Sequence, residues 1–158
     1  MPRFHDFPHH IPRPTGRHLV SADLARIEVG DLLLVARLET TLAPKSCAAL
    51  RRLLPLTGHL LQARWSGEAA WMPLGELDLG IGPENPVGQP EPGQILLYPK
   101  GVSETEILVP YGMTVFASKF GPLQGNHCLT VVEGRELLPE LGRRVVWAGA
   151  QPVRLALG

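Results

Sequence analysis

The corner formed by residues Arg64 to Glu68 carries three side chains that could bind a ligand or move a proton. It places a guanidinium, an indole and a carboxylate within five residues, directly after an apolar stretch. If Ser66-Gly67 is a two-residue hairpin turn, Trp65 faces Glu68 across the strands, and neither strand face is cleanly apolar. The corner then fits a pocket wall, where Arg64 binds a carboxylate or carbonyl and Trp65 or Trp71 provides a flat apolar floor. The alternative is a surface ion pair beside a core tryptophan.

A second segment, Gly121 to His127, has two glycines and a proline and ends at Asn126-His127. Loops at strand ends are common places for binding and catalytic residues. His127 could serve as a general base or a hydrogen-bond donor, because an imidazole titrates near neutral pH. The alternative is a histidine whose ring is satisfied by backbone groups at the start of a strand.

A third segment contains Tyr98, the alternating pair Glu104 and Glu106, and Tyr111. The spacing of two places both carboxylates on one side of a strand. They could face a ligand, or they could be an ordinary pair of exposed glutamates.

We predict that these segments converge on one cavity, which binds a small molecule. Proton transfer is assigned to His127 or Glu68. Ligand contacts are assigned to a larger set, namely Arg64, Trp65, Tyr98, Glu104, Tyr111, Asn126 and His59.

No metal or cofactor is predicted for this cavity. The histidines and carboxylates lack the spacing of metal-binding motifs, and Cys47 and Cys128 match no such motif either. The sequence contains no GxSxG, Walker or GxGxxG motif. It therefore gives no indication of the nucleophile elbow of an α/β-hydrolase or of a nucleotide-binding site.

One helix is predicted among many strands, over Pro44 to Leu54. Proline suits the first helical position, and Cys47, Leu50 and Leu54 repeat at helical spacing and form the stripe expected to be buried. Pro55 then ends the helix.

The rest of the globular part is predicted to form short strands, punctuated by many of the chain's 17 glycines and 16 prolines. A helical turn over Arg135 to Leu141, ended by Gly142, and a strand over Val145 to Ala148 are expected near the C-terminus. Many short strands with frequent turns favour an all-β fold, a closed barrel of about eight strands with one short capping helix.

The chain divides into residues 1–21, a Pro/His-rich arm, and residues 22–158, the barrel domain. The arm holds four of the six histidines. It is expected to be a surface arm or, alternatively, a metal-binding or subunit-wrapping segment.

The amino-acid composition indicates which kinds of binding partner to expect. The formal net charge is zero and no Lys/Arg cluster is present, which argues against a nucleic-acid partner. Only 19% of residues are charged, which favours a homo-oligomer that buries apolar surface between subunits. The absence of an apolar secretory segment or membrane span predicts a cytoplasmic protein with no membrane partner.

Five stretches of the chain resemble an uncharacterised bacterial and archaeal family of the cyclophilin-like superfamily, whose members are domains of unknown function. The stretches are LAPKSCAALRRLLP, HLLQARWSGEA, GQILLYPKGVSETEILVPYG, FASKFGPLQGNH and GRRVVWAGA. The resemblance covers roughly Ala22 to Gln151 and implies a closed barrel of about eight strands with a helix capping one end.

True cyclophilins are a more remote comparison. Their catalytic arginine corresponds to Arg64, but Ser66-Gly67-Glu68 stands where their Gln-Gly-Gly follows. Three functions are therefore compatible with the sequence: a small-molecule enzyme or enzyme accessory acting on carboxylate or amide metabolites, a peptide-binding module or weak prolyl isomerase, and an assembly subunit of a partner enzyme.

Overall fold

The computed structural model describes residues 23–158, so the predicted N-terminal arm lies outside the described residues. The strands are β1 (Leu24–Val29), β2 (Leu32–Leu38), β3 (Leu56–Gln62), β4 (Gly67–Gly75), β5 (Pro86–Val87), β6 (Gln94–Tyr98), β7 (Thr105–Thr114), β8 (Ala117–Ser118), β9 (Gly121–Pro122), β10 (Gly125–Glu133) and β11 (Gln151–Leu157). The helices are α1 (Pro44–Leu53) and α2 (Leu138–Trp147), with a 3₁₀ turn over Arg135–Leu137 before α2.

Eight antiparallel strands close into a barrel in the order β2-β1-β11-β3-β4-β7-β6-β10, and β10 pairs back onto β2. The short β5 adds to β10 outside this ring. Closure leaves no long open edge, and it confirms the all-β barrel that the turn-rich sequence predicts.

The barrel core follows from period-two alternation. In β1 the fully buried side chains are Ala25, Ile27 and Val29, while the residues between them face outward. The same alternation on the other strands produces one continuous apolar cluster inside the barrel.

Helix α1 caps this core and matches the predicted helix closely. Cys47 and Leu50 are each 1% exposed, whereas Leu54, the third residue of the expected stripe, is half-buried beyond the helix end. The first turn contains no acidic residue of its own. Instead, the Glu84 carboxylate accepts hydrogen bonds from the backbone N–H groups of Lys45 and Ser46 at 3.1 and 2.8 Å.

Helix α2 differs from the prediction, because the expected strand over Val145 to Ala148 is helical up to Trp147. Leu138, Leu141 and Val145 recur at helical spacing and are buried, which holds this segment on the barrel as a helix. Gly142 does not end the helix. It lies in its interior against the ring of Tyr111, where a Cβ would overlap the ring.

A second, smaller core covers the outer surface of the barrel. On β4, β7 and β6 the residues that alternate with barrel-core residues include Ala69, Leu108 and Leu96, and these pack against Phe116 and Leu123. Residues 115–124, here called the cover segment, therefore lie over the outer face of these three strands. The cover segment contains the small β8–β9 hairpin.

None of the helices in residues 23–158 is long and apolar enough to cross a membrane.

Candidate functional site

A cavity of about 240 Å³ lies on the outer face of the barrel, between the β3–β4 loop and the cover segment. We call it the outer cavity. Its walls combine two cations, three aromatic rings, one carboxyl and several small side chains. They are Ala63, Arg64, Trp65, Ser66, Trp71, Ser103, Glu106, Ala117, Ser118, Lys119 and Phe120.

The β3–β4 corner forms one wall, with a geometry that differs from the expected two-residue turn. Strand β3 ends at Gln62, and the N–H of Ala63 donates to the carbonyl of Ala69 at 2.8 Å, so the turn covers residues 64–66. The buried Ser66 hydroxyl accepts a hydrogen bond from the N–H of Ala117 at 3.0 Å. Arg64 and Trp65 therefore lie in the turn and outside the strand ladder, and the hydrogen bond of Ser66 holds the turn against the cover segment.

Two positive charges lie at the cavity without a carboxylate partner. The Arg64 guanidinium carbon is 5.8 Å from the centroid of the Trp65 ring, and Lys119 Nζ is 5.0 Å from the centroid of the Phe120 ring. Neither cation forms an ion pair with any carboxylate in residues 23–158. Rings stabilise a cation without neutralising it, so both charges remain available to an anionic ligand.

Glu106 contributes the opposite charge from β7. It alternates with the barrel-core residue Ile107, so it points to the outer face, and it is only 7% exposed. Burial, helped by the negative charge of Glu104, raises the pKa of Glu106 to about 7. The outer cavity therefore contains a carboxyl that changes charge near neutral pH.

Trp71 and Tyr98 form the aromatic support of this region. Trp71 packs against the second core and lines the outer cavity. Tyr98 is paired with Glu106 across β6 and β7, and its ring centroid lies 5.7 Å from that of Phe116. The Tyr98 hydroxyl accepts a hydrogen bond from the N–H of Ser103 at 3.4 Å, which connects it to the cavity wall. Tyr98 thus borders the cavity without lining it, and Glu104 directly follows the cavity residue Ser103 in the chain without lining the cavity itself.

Glu68 and Tyr111 line a different depression, between the barrel and α2. The Tyr111 hydroxyl donates to Gln62 Oε1 at 2.5 Å, and Glu68 Oε1 accepts from the N–H of Met113 at 3.0 Å. Both side chains have protein partners here.

Asn126 connects the loop before β5 to helix α1. It is 1% exposed, and its amide nitrogen donates to Ser46 Oγ at 3.1 Å and to the Gly82 carbonyl at 3.0 Å. Its amide oxygen accepts from the N–H of Glu84 at 3.0 Å. All of these bonds hold the fold together.

His127 lies in a polar chain on the outer face of β10 and β2. Its Nε2 is 2.8 Å from Thr130 Oγ1, and Thr130 donates to Glu39 Oε1 at 2.7 Å. Burial lowers the pKa of His127, so the ring is neutral at physiological pH. The remaining predicted residue, His59, is exposed on β3 opposite Pro152.

The structure thus places Arg64 and Trp65 in the outer cavity, Tyr98 at its border, Glu104 directly after a wall residue in the chain, and the other predicted residues elsewhere. The catalytic roles of His127 and Glu68 stay predictions. No group of three or more histidine, cysteine or acidic side chains suited to a metal ion occurs within the described part of the chain.

Lys119 and Phe120 line the cavity although neither was predicted to do so, and Glu106 was predicted only as one of two alternating glutamates and was not assigned to the site. Two local signals in the sequence could have indicated these residues. Glu106 is a single charge inside the apolar stretch TEILVP, and Lys119 is a cation beside aromatic residues in FASKF. Neither signal shows on its own that the cover segment folds over β7.

Solved structures with a similar fold include "Structure of McbB in complex with tryptophan", with a TM-score of 0.67 and 21% sequence identity. That alignment covers 84% of this chain and 44% of the McbB chain, so this chain spans less than half of McbB. The solution structure of the hypothetical protein AF2241 from Archaeoglobus fulgidus aligns with a TM-score of 0.56 and 16% identity, over 87% of this chain and 96% of that chain. These likenesses show the fold.

Comparison of the sequence with curated proteins gave no match. A family model described as "Protein of unknown function (DUF3830)" matches residues 25–157, which is nearly the whole described barrel. The match confirms the resemblance to an uncharacterised family, and the chain belongs to the DUF3830 family.

Proposed function

We propose that the protein binds a small carboxylate- or amide-bearing metabolite in the outer cavity. The observation that carries the proposal is the pair of cations, Arg64 and Lys119, held over aromatic rings at one cavity without protein carboxylates to neutralise them. The cavity volume of about 240 Å³ is below the roughly 300–1,000 Å³ typical of sites for drug-sized ligands. It suits a compact metabolite.

The chemistry of the walls supports an assignment of roles. Arg64 offers a planar fork of donors that can hold two oxygens of one carboxylate, while Lys119 adds a second positive charge. Trp71 offers a flat apolar surface for the body of the ligand. The exposed rings of Trp65 and Phe120, which are 56% and 69% exposed, would lose solvent contact as the ligand enters.

The McbB complex is consistent with this proposal, because tryptophan is a small molecule that combines a carboxylate with a flat ring. The likeness concerns the fold alone, so the proposal rests on the cavity of this chain.

Calorimetric titration with 3-phenylpropanoate and with its amide tests the proposal. We expect saturable binding to the wild-type protein and about tenfold weaker binding of the acid to Arg64→Lys, since lysine cannot reproduce a bidentate contact. Arg154→Lys is the matched control, because Arg154 is an exposed arginine on β11 that does not line the outer cavity. Equal loss in both variants, or no binding to the wild type, would contradict the proposal.

A peptide-binding module is the second candidate. It is favoured by the exposed Trp65 and Phe120 at the mouth of the cavity, since aromatic side chains on a surface suit an extended peptide. A proline-containing tetrapeptide tests this candidate. If the peptide does not displace 3-phenylpropanoate and the protein does not speed the cis/trans isomerisation of its prolyl bond, the peptide-binding function is wrong.

A further inference from the structure

Glu106 has no structural partner although it is almost completely buried. It is 7% exposed and lines the outer cavity, and its carboxyl forms no hydrogen bond or ion pair with any side chain or backbone group of residues 23–158. Acidic side chains are rarely buried to this extent unless they are paired. In the described part of the chain no fully inaccessible side-chain oxygen lacks a partner, so the Glu106 oxygens retain contact with the open space of the cavity. The carboxyl of Glu106 is therefore open to a hydrogen-bonding group that enters the cavity.

The charges around Glu106 indicate which kind of ligand group could pair with its carboxyl. Arg64 and Lys119 line the same cavity, but neither forms an ion pair with Glu106, and both lie over aromatic rings instead. Glu104 adds a negative charge from the preceding loop. Tyr98 faces Glu106 from β6, and Pro73 faces it from β4. One cavity therefore holds positive and negative groups that do not neutralise each other.

We infer that the ligand is an amino-acid-like zwitterion with an aromatic or apolar body, whose ammonium group binds Glu106 and whose carboxylate binds Arg64 and Lys119. The inference rests on the proposed function, and it adds the cationic nitrogen that the proposal alone does not require. An ammonium group on Glu106 supplies the missing hydrogen-bond donors and the missing opposite charge at once.

Where Glu106 is protonated, its proton must leave as the ammonium group binds. Because burial and the charge of Glu104 raise the pKa of Glu106 to about 7, this carboxyl is protonated in part of the unliganded molecules at pH 7. The ammonium favours the ionised carboxylate, so binding releases that proton and becomes tighter as the pH rises towards 8.

Three probes that share one ring separate the two charged contacts: L-phenylalanine, 3-phenylpropanoate, which lacks the ammonium, and 2-phenylethylamine, which lacks the carboxylate. We expect phenylalanine to bind wild-type protein at least tenfold more tightly than either partial probe. Glu106→Gln should remove the advantage of phenylalanine over 3-phenylpropanoate, because the neutral amide offers the ammonium group no opposite charge. Glu133→Gln, an exposed change on β10, is the matched control.

Calorimetry in two buffers of different ionisation enthalpy gives a second readout that needs no variant. At pH 7 phenylalanine should release a fraction of a proton from wild-type protein, whereas 3-phenylpropanoate, which carries no ammonium group, should release none or take up a proton. Equal binding of phenylalanine and 3-phenylpropanoate without proton release would overturn the inference and leave the proposed function standing. Failure of all three probes to bind would overturn both.

Discussion

At the scale of single residues, Glu106 is a group that lowers the stability of the empty protein. Its folded-state pKa of about 7 lies above the ordinary value of 4.5 because the site disfavours the charged form. A raised carboxyl pKa contributes stability that is fully present below pH 4.5 and is lost as the pH rises through 7. A residue that destabilises the fold at neutral pH, without a partner, is typical of a functional site.

The loss of stability that Glu106 causes as the pH rises predicts how the Glu106→Gln variant should behave. Between pH 4.5 and 8 the free energy of unfolding of the ligand-free wild-type protein should lose up to about 3 kcal/mol through this one group. The glutamine variant should lack that loss, so it should be the more stable protein at pH 8 and nearly equal at pH 4.5. Urea denaturation at the two pH values measures the difference. A variant that is less stable than wild type at pH 8 would show that the charged carboxylate has a stabilising partner.

Histidine 127 carries a pH dependence of the opposite direction. Burial lowers its pKa below the ordinary 6.5, so the stability it contributes is present above pH 6.5 and is lost as the pH falls. We predict that His127→Gln reduces the loss of unfolding free energy between pH 7 and pH 5. If the free energy of unfolding falls equally between pH 7 and pH 5 in the variant and the wild type, His127 is not a buried neutral ring in the folded protein.

At the scale of elements, the contact between α2 and β7 explains why Gly142 stands in a helix. Glycine normally destabilises a helix interior by about 1 kcal/mol relative to alanine. Here a Cβ would overlap the Tyr111 ring, whose hydroxyl is fixed by Gln62. We predict that Gly142→Ala lowers the free energy of unfolding by about 1–3 kcal/mol, as expected for overpacking. Thermal denaturation measures this, and a stabilised variant would mean that the helix moves away from the barrel at no cost.

The same elements show what local sequence signals can and cannot predict. Helix α1 was predictable because Pro44 and the spacing of Cys47 and Leu50 are local signals. The helical turn predicted over Arg135 to Leu141 is present, but its predicted end at Gly142 is wrong. The usual role of glycine as a helix end is overridden here by the contact with Tyr111, a residue distant in sequence.

The candidate site was predictable in part for a similar reason. Arg64 and Trp65 stand out in a corner with three functional side chain types within five residues. The sequence marks Glu106 only as one of two alternating glutamates. Its burial depends on the cover segment, which Ser66 holds through a hydrogen bond and Phe116 through packing. The burial of an outward-facing strand residue is a tertiary property, and alternation alone places it in solvent.

At the scale of the whole molecule, the described surface retains large apolar side chains away from the outer cavity. Val146 and Trp147 at the end of α2 are 50% and 80% exposed. We propose that they contribute to a homo-oligomer interface, as the low charged fraction of 19% also suggests. Sedimentation velocity at micromolar concentration should show an oligomer for the wild type and a smaller species for Trp147→Glu. A wild-type monomer would contradict the proposal.

Tryptophan fluorescence can report whether the outer cavity binds a small carboxylate ligand. The chain has three tryptophans, and two of them, Trp65 and Trp71, line the cavity. In Trp147→Phe protein, titration with 3-phenylpropanoate should change the emission in a saturable manner, and adding Arg64→Lys should shift the midpoint to about tenfold higher concentration. An emission that stays constant up to millimolar ligand, or a midpoint that Arg64→Lys leaves unchanged, would contradict the account.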